Sequence, residues 1–190
     1  MIKHYKALAL SLAAVLILGV FCLICRPLFK ITPAVHIDYE DLVNLYAREY
    51  HLDPALVYAV IRVESNFQPD ARSQANAYGL MQITEDTLQW AMLREGWNAA
   101  YTAEDLTDPE INIKYGCLIL SLLLAEFEDT DTVLAAYNAG RGNTLKWLKD
   151  SRYSEDGIRI SATPYSETTE YIKKVNKYYR QYQNMLGEAS

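Results

Sequence analysis

Residues 57–83, VYAVIRVESNFQPDARSQANAYGLMQI, decide how this chain is read. Val57, Val60, Ile61 and Val63 recur at helical spacing, so the run is a largely buried helix that ends on one acid, Glu64. A polar loop follows, then a turn that Gly79 permits, since glycine takes positive φ at no steric cost. Only Asp70 supplies another carboxylate between Glu64 and Gln82, and it sits beside Pro69 in what reads as surface loop. A carboxyl at the end of a buried helix loses water, which raises its pKa and lets it donate a proton near neutral pH. The plain alternative is an exposed helix-end acid paired with Arg62 or Arg72. The segment alone leaves both open.

Outward from it, the chain reads as helix after helix. Asp53-Pro54 opens the Glu64 helix with a cap and a proline at the first helical position. Upstream, Asp38 is expected to cap YEDLVNLYAREYH. Downstream, Thr84 begins EDTLQWAMLRE, which Gly96 closes. Asp108-Pro109 starts EINIKYGCLILSLLLAEF, apolar nearly all round and thus expected to be the central buried helix. TDTVLAAYN, a glycine-flanked break at AGRGN, a short TLKWLKD and a long helix over about 167–185 complete the series. YGLMQI could be one short extended piece. The expected fold class is all-α with minimal β.

The 190 residues also hold a different kind of segment. Residues 7–25, ALALSLAAVLILGVFCLIC, are 19 uncharged positions, long enough at ~1.5 Å per residue to cross a bilayer core as a helix. A cleavable signal normally has a shorter apolar region, about 7–15 residues, so an uncleaved anchor is expected. Phe21 before Cys22 and Ile24 before Cys25 do not suit a lipoprotein site. The layout is then residues 1–6 before the membrane, 7–25 as anchor, 26–37 as a linker discouraged from helix by Pro27 and Pro33, and 38–186 as the catalytic or binding domain. Lys3 and Lys6 before the span and Arg26 and Lys30 after it barely fix its orientation.

Residues 31–190 contain all 24 acidic residues and 14 of the 18 basic ones, a formal charge of −10. So acidic a domain is a poor partner for nucleic acid or anionic lipid. Cys117 is its lone cysteine, in an apolar run where it reads as a small buried hydrophobe. Three histidines, two of them at His4 and His36, make no metal cluster, and no cofactor is expected.

Three further pieces could carry chemistry. SQANAYGLMQI, rich in small and amide residues, can bring backbone amides and the Gln82 side chain close to a ligand; Leu80 and Met81 can pack in the core at the same time. In AAYNAG, Tyr137 and Asn138 end a helix before Gly140, where tyrosine can stack on a sugar ring; a core tyrosine and a capping asparagine are the alternative. Glu167 in ETTEYI suits the positive end of its helix whether or not it faces a site.

In order, ES at 64–65, GLMQ at 79–82, AYNAG at 136–140 and ET..Y at 167–171 resemble the family-1 lytic transglycosylases, whose domain is related to goose-type lysozyme. The resemblance covers about residues 38–180 and implies a lysozyme-like helical domain. It implies that Glu64 is the single catalytic acid/base, and that Ser73 and Gln82 line the sugar cleft. It places Tyr137 opposite the catalytic carboxyl with Asn138 beside it, and Glu167 and Tyr171 on the far side. Asn76 stands where the family often has glycine, Glu85 where proline commonly follows GLMQ, and Arg141 where proline commonly follows AYNAG.

The implied substrate is the β-1,4 bond between N-acetylmuramic acid and N-acetylglucosamine in peptidoglycan, cut to a 1,6-anhydro product. Most sugar-cleaving enzymes use two carboxylates, but the substrate's own N-acetyl group can replace the second. Peptidoglycan glycan strands outside the cytoplasmic membrane would put the domain outside a single-pass anchor. Rival expectations are a hydrolytic muramidase, with Asp70, Glu85 or Asp86 positioning water, a non-catalytic wall-binding module, and a purely structural helical domain.

Overall fold

The computed structural model describes residues 36–96 and 100–188. The expected anchor and nearly all of the expected linker lie outside them. From Ile37 onward the described chain forms one unit. Its helices are α1 (Glu40–Glu49), α2 (Pro54–Glu64), α3 (Glu85–Glu95), α4 (Pro109–Glu126), α5 (Thr130–Ala139), α6 (Arg141–Leu148) and α7 (Ser166–Glu188), with a 3-10 turn at Glu104–Thr107. Two short strands, β1 (Ala77–Tyr78) and β2 (Ile83–Thr84), pair antiparallel before α3. Among the described residues, no helix is long and apolar enough to cross a membrane.

α4 is the central helix, as its composition predicts. Asn112, Ile113, residues 115–120 and Leu123 are all buried, and Cys117 is a free buried thiol whose pKa burial pushes up. α1 and α5 pack against it. Asp108 caps it by accepting from Glu110 N at 2.8 Å and Ile111 N at 3.3 Å.

The packing that matters most for the site joins α2 to α7. At one end, Asp53 accepts from Ala55 N with one oxygen and from Tyr179 Oη (2.8 Å) and Gln183 Nε2 (3.1 Å) with the other. Tyr182, fully buried, stacks on Tyr58 with ring centres 5.2 Å apart. The run from Asp53 to Glu64 and the run from Gln183 back to Tyr171 are each about 17 Å of helix. Fixing the start of α2 against the end of α7 therefore delivers Tyr171 and Glu167 to Glu64.

Three local expectations change and one element is new. The first helix is entered through Tyr39, in left-handed conformation (φ 62) and with no side-chain cap, rather than through Asp38. Glu40 and Asp41 in its first turn favour the positive helix end instead. The expected break at AGRGN shrinks to Gly140 (φ 89), because α6 restarts at Arg141. Burial of Thr144, Trp147 and Leu148 outweighs the poor helix propensity of Gly142 and Asn143. YGLMQI is two strand ends around a turn rather than one extended piece, and the 3-10 turn at 104–107 has no counterpart in the sequence reading.

Candidate active site

Glu64 is the last residue of α2. The chain leaves that helix sharply, with Asn66 (φ 54) and Phe67 (φ 65) both left-handed. For non-glycine residues this costs roughly 1–2 kcal/mol each; burial of the Phe67 ring against Tyr58 offsets part of it. Ser65 Oγ donates to Leu80 O at 2.8 Å and so ties the acid's helix end to the 78–82 turn.

That turn is held from inside. Asn112, fully buried on α4, donates to Tyr78 O (2.9 Å) and Leu106 O (2.7 Å) and accepts from Met81 N (2.7 Å). A Cβ on Gly79 (φ 74) would fall 2.1 Å from Leu106 O and 2.2 Å from the Asn112 amide nitrogen, so only glycine fits. Gly116 on α4 leaves room for the Met81 thioether in the same way. Leu80 and Met81 are fully buried, and the next residue, Gln82 (φ 50), turns out to the cleft. Its Nε2 donates to Ala71 O (3.1 Å) and Gly79 O (2.9 Å), which leaves Oε1 as an acceptor. Ser73 Oγ accepts from Ala77 N at 3.1 Å, bracing the opposite arm.

Burial pushes the Glu64 carboxyl up to about 7, and the charge of Glu167 adds to the rise. The Tyr171 hydroxyl opposes it. That hydroxyl is buried without a well-formed hydrogen bond, yet close enough to favour the carboxylate. The expected alternative partners are engaged elsewhere: the Arg62 guanidinium lies over the Tyr178 ring at 5.5 Å, and Arg72 lies over Tyr78 at 4.7 Å while donating to Asn76. No cation among the described residues acts on Glu64, so nothing offsets the burial that holds its proton.

Tyr137 lies within reach of the same carboxyl's charge. Its hydroxyl donates to Met81 O at 2.8 Å. Burial, then the Glu64 charge, lifts its pKa well above 10, so it stays protonated. It lines the cleft and also ties α5 to the turn.

Glu64, Ser73, Gln82, Tyr137, Asn138 and Glu167 all line one cleft of about 800 Å³, a size suited to an extended ligand. Asn138 lies in the last turn of α5, with Gly140 as the cap. Tyr171 is 6% exposed and stands behind Glu64, off the cleft wall. The sequence reading missed Trp90 and Thr87 and named Arg141 only as a departure from proline; all three line the cleft. Trp90 carried a signal, since it is a large aromatic two residues from the buried Leu88 and off that helix's apolar stripe. Of the three acids named as possible water-positioning groups, Asp86 is on the wall, while Asp70 and Glu85 are not.

A half-buried acid held near neutral pH, flanked by two protonated tyrosine hydroxyls in an open cleft, is suited to proton transfer on a polymer. Comparisons with known proteins point to one family of enzymes. Membrane-bound lytic murein transglycosylase C of Actinobacillus pleuropneumoniae serotype 5b is 33% identical over 166 residues, covering 76% of this chain and 46% of that protein. The soluble lytic murein transglycosylase of Escherichia coli K12 is 31% identical over 152 residues, 79% of this chain and 24% of that one. Among solved structures, the 70 kDa soluble lytic transglycosylase of Escherichia coli superposes with a TM-score of 0.71 at 29% identity, over 80% of this chain and 25% of that one. The lytic transglycosylase Slt of Pseudomonas aeruginosa, an inactive glutamate-to-glutamine mutant, gives 0.67 at 31% identity, over 78% and 24%. This chain therefore spans about a quarter to a half of the length of these relatives. Residues 41–160 match the transglycosylase SLT domain, and the chain belongs to that family.

Proposed function

We propose that the chain is a membrane-anchored peptidoglycan lytic transglycosylase with Glu64 as its single acid/base. The observation that carries this is the Glu64 carboxyl itself, on the wall of the cleft and held up to about 7 by burial, with no cation among the described residues acting on it. Protonated Glu64 donates to the glycosidic oxygen between N-acetylmuramic acid and N-acetylglucosamine as the bond to the anomeric carbon breaks. The muramic acid's N-acetyl oxygen closes on that carbon and carries the positive charge, so no enzyme nucleophile is used. Glu64, now a carboxylate, takes the proton of the C6 hydroxyl. The C6 oxygen displaces the N-acetyl group and leaves a 1,6-anhydro ring. A tethered hydroxyl competes well with water because its effective concentration is so high.

The other wall residues fit supporting roles. Ser73, Gln82 and Asn138 offer hydroxyl and amide groups to N-acetyl sugars, with Gln82 Oε1 as an acceptor. Tyr137 and Tyr171 set the environment of the acid, and the charge of Glu167 helps keep it protonated before the first step. No metal or cofactor enters this chemistry.

The apolar run at 7–25 is assigned as a single-pass anchor, residues 26–37 as its tether, and 38–186 as the domain on the outer side of the cytoplasmic membrane, where its substrate lies. The name of the Actinobacillus relative, a membrane-bound enzyme, supports this. A second reading, hydrolysis, is favoured by one observation: Asp86 lies on the cleft wall and could position water.

The test is digestion of purified peptidoglycan by the chain and by Glu64→Gln, with the released muropeptides weighed by mass spectrometry. Products ending in 1,6-anhydromuramic acid, one water lighter than reducing ends and absent with the variant, are expected. Reducing ends abolished by Asp86→Asn would instead establish the hydrolase. Retained binding with no release would leave a wall-binding module.

A further inference from the structure

Among the described residues on the cleft wall, three are acids, Glu64, Asp86 and Glu167, and only one is a base, Arg141. It is the first residue of α6, directly after the Gly140 cap, and its side chain is 45% exposed. Its Nε donates to Glu126 Oε2 near the end of α4. Glu126 is not itself on the cleft wall. That contact occupies one of the five guanidinium donors and fixes the plane of the group. Both Nη nitrogens lack a partner among the described residues, so the edge that binds carboxylates in bidentate fashion is left open.

The surroundings allow a ligand to reach that edge. A Cβ on Gly140 or on Gly142 would meet nothing within 4 Å, so the rim on both sides of Arg141 is open. Asn138, in the last turn of the preceding helix, adds a side-chain amide to the same wall. A substituent projecting sideways from a bound polymer can leave the cleft here and pass the guanidinium.

We propose that Arg141 is a specificity-determining residue that reads a carboxylate carried by the glycan strand, with Glu126 as its positioning residue. This rests on the reading of the cleft as a glycan-strand site. In such a strand the sugar rings are neutral. Carboxylates come only from the side arm of muramic acid, either at the stem peptide or, where the peptide has been removed, at the lactyl group. In a cleft with three acids, the one cation sets where that negative arm is tolerated and so fixes the register of the strand along the wall.

The experiment measures binding of three ligands to the full chain carrying Glu64→Gln, with and without Arg141→Gln. The ligands are peptide-bearing glycan strands, strands stripped by an amidase so that the lactyl carboxylate is free, and a neutral N-acetylglucosamine oligomer. Arg141→Gln is expected to weaken binding of carboxylate-bearing strands about fivefold and to leave the neutral oligomer unchanged. Arg141→Lys, which keeps the charge and loses the fork, should recover only part. An effect on the peptide-bearing strand alone assigns the stem carboxylates, and an effect on the stripped strand as well assigns the lactyl group. Equal weakening of all three ligands, or of none, overturns the role of Arg141 while the glycan site stands. If no ligand binds even before Arg141 is changed, the glycan-site reading itself fails, and the role of Arg141 falls with it.

Discussion

Glu64 and Glu95 are each the last residue of an eleven-residue helix, and they end in opposite electrostatic states. Burial acts on both in the same direction. At Glu95 it is outweighed by Lys114 Nζ at 2.9 Å, then by the hydroxyls of Tyr115 (3.1 Å) and Tyr50 (3.3 Å), and the carboxyl falls below its ordinary range. At Glu64 burial dominates, only the Tyr171 hydroxyl opposes it, no cation among the described residues acts on it, and the carboxyl rises to about 7. An anchoring anion and a working acid differ in this protein by how deeply the carboxyl is buried and by one ammonium group.

The sharpest way to break that comparison is to neutralise each acid. Glu64→Gln should cost at least about a hundredfold in turnover and up to ~10⁴-fold, the usual range for removing a general acid. Glu95→Gln should leave turnover within about twofold once the protein is folded, since Glu95 is not on the cleft wall. Comparable losses from both, measured as product release from peptidoglycan, would show that Glu64 acts through the fold.

The next largest effect is on stability, and here the two signs oppose. A carboxyl carried from 4.5 to about 7 costs at most about 3 kcal/mol once ionised, less where solvent at the cleft mouth screens it. The penalty is absent below pH 4.5, where the group is protonated in folded and unfolded chains alike. It grows as pH rises through the window to about 7. Glu64→Gln should therefore unfold at the same denaturant concentration as the parent at pH 4 and at a higher one at pH 8. Glu95, whose pKa is lowered, contributes stability above the ordinary glutamate range and loses it as pH falls through its depressed value. Glu95→Gln should be less stable by about 1–2 kcal/mol at pH 7, with the gap closing in acid. Two denaturation series against pH decide it, and parallel curves would refute the contrast.

Of these two acids, only Glu64 was legible in the sequence. Asp53-Pro54 announces its helix, the apolar residues announce burial, and Gly79 announces the turn opposite. All are local signals. Asn112 gave none, because a polar residue three positions into an apolar helix becomes a clamp only when Tyr78, Leu106 and Met81 are brought to it. The Lys114–Glu95 pair joins helices α3 and α4, and nothing at either position names the other. Tyr171 and Glu167 were placed by resemblance. Their physical reason lies at the far end of α2, where Asp53 holds Tyr179 and Gln183. Arg141 was noticed only as a departure from proline, because its meaning depends on how few cations share its cleft.

A smaller change should make one carboxyl resemble the other. Lys114→Met removes the cation from Glu95 but keeps both tyrosines and most of the packed stem. Glu95 should then titrate above its parent value, moving toward the behaviour of Glu64, at a cost of about 1 kcal/mol at pH 7. A carbon-detected titration of the glutamate side chains reads this directly. If the Glu95 pKa does not move, the tyrosines rather than the lysine hold it down, and the contrast has been assigned to the wrong group.

The smallest expected effect concerns Tyr171, which opposes the rise at Glu64 without owning a well-formed hydrogen bond. Tyr171→Phe removes a dipole that favours the carboxylate, so the Glu64 pKa should climb by a few tenths, and the alkaline limb of the activity profile should move up with it. Because the hydroxyl is buried and poorly satisfied, its loss should not destabilise the fold and could add up to about 1 kcal/mol. The two readouts separate two roles. A tyrosine that only fills space would leave the pH limb where it is. A tyrosine that donates to Glu64 after the first proton transfer would move the limb and lower the plateau rate, because the new carboxylate then loses its nearest donor. A limb that shifts toward acid instead would mean that Tyr171 holds Glu64 protonated, which reverses the electrostatic account of the site.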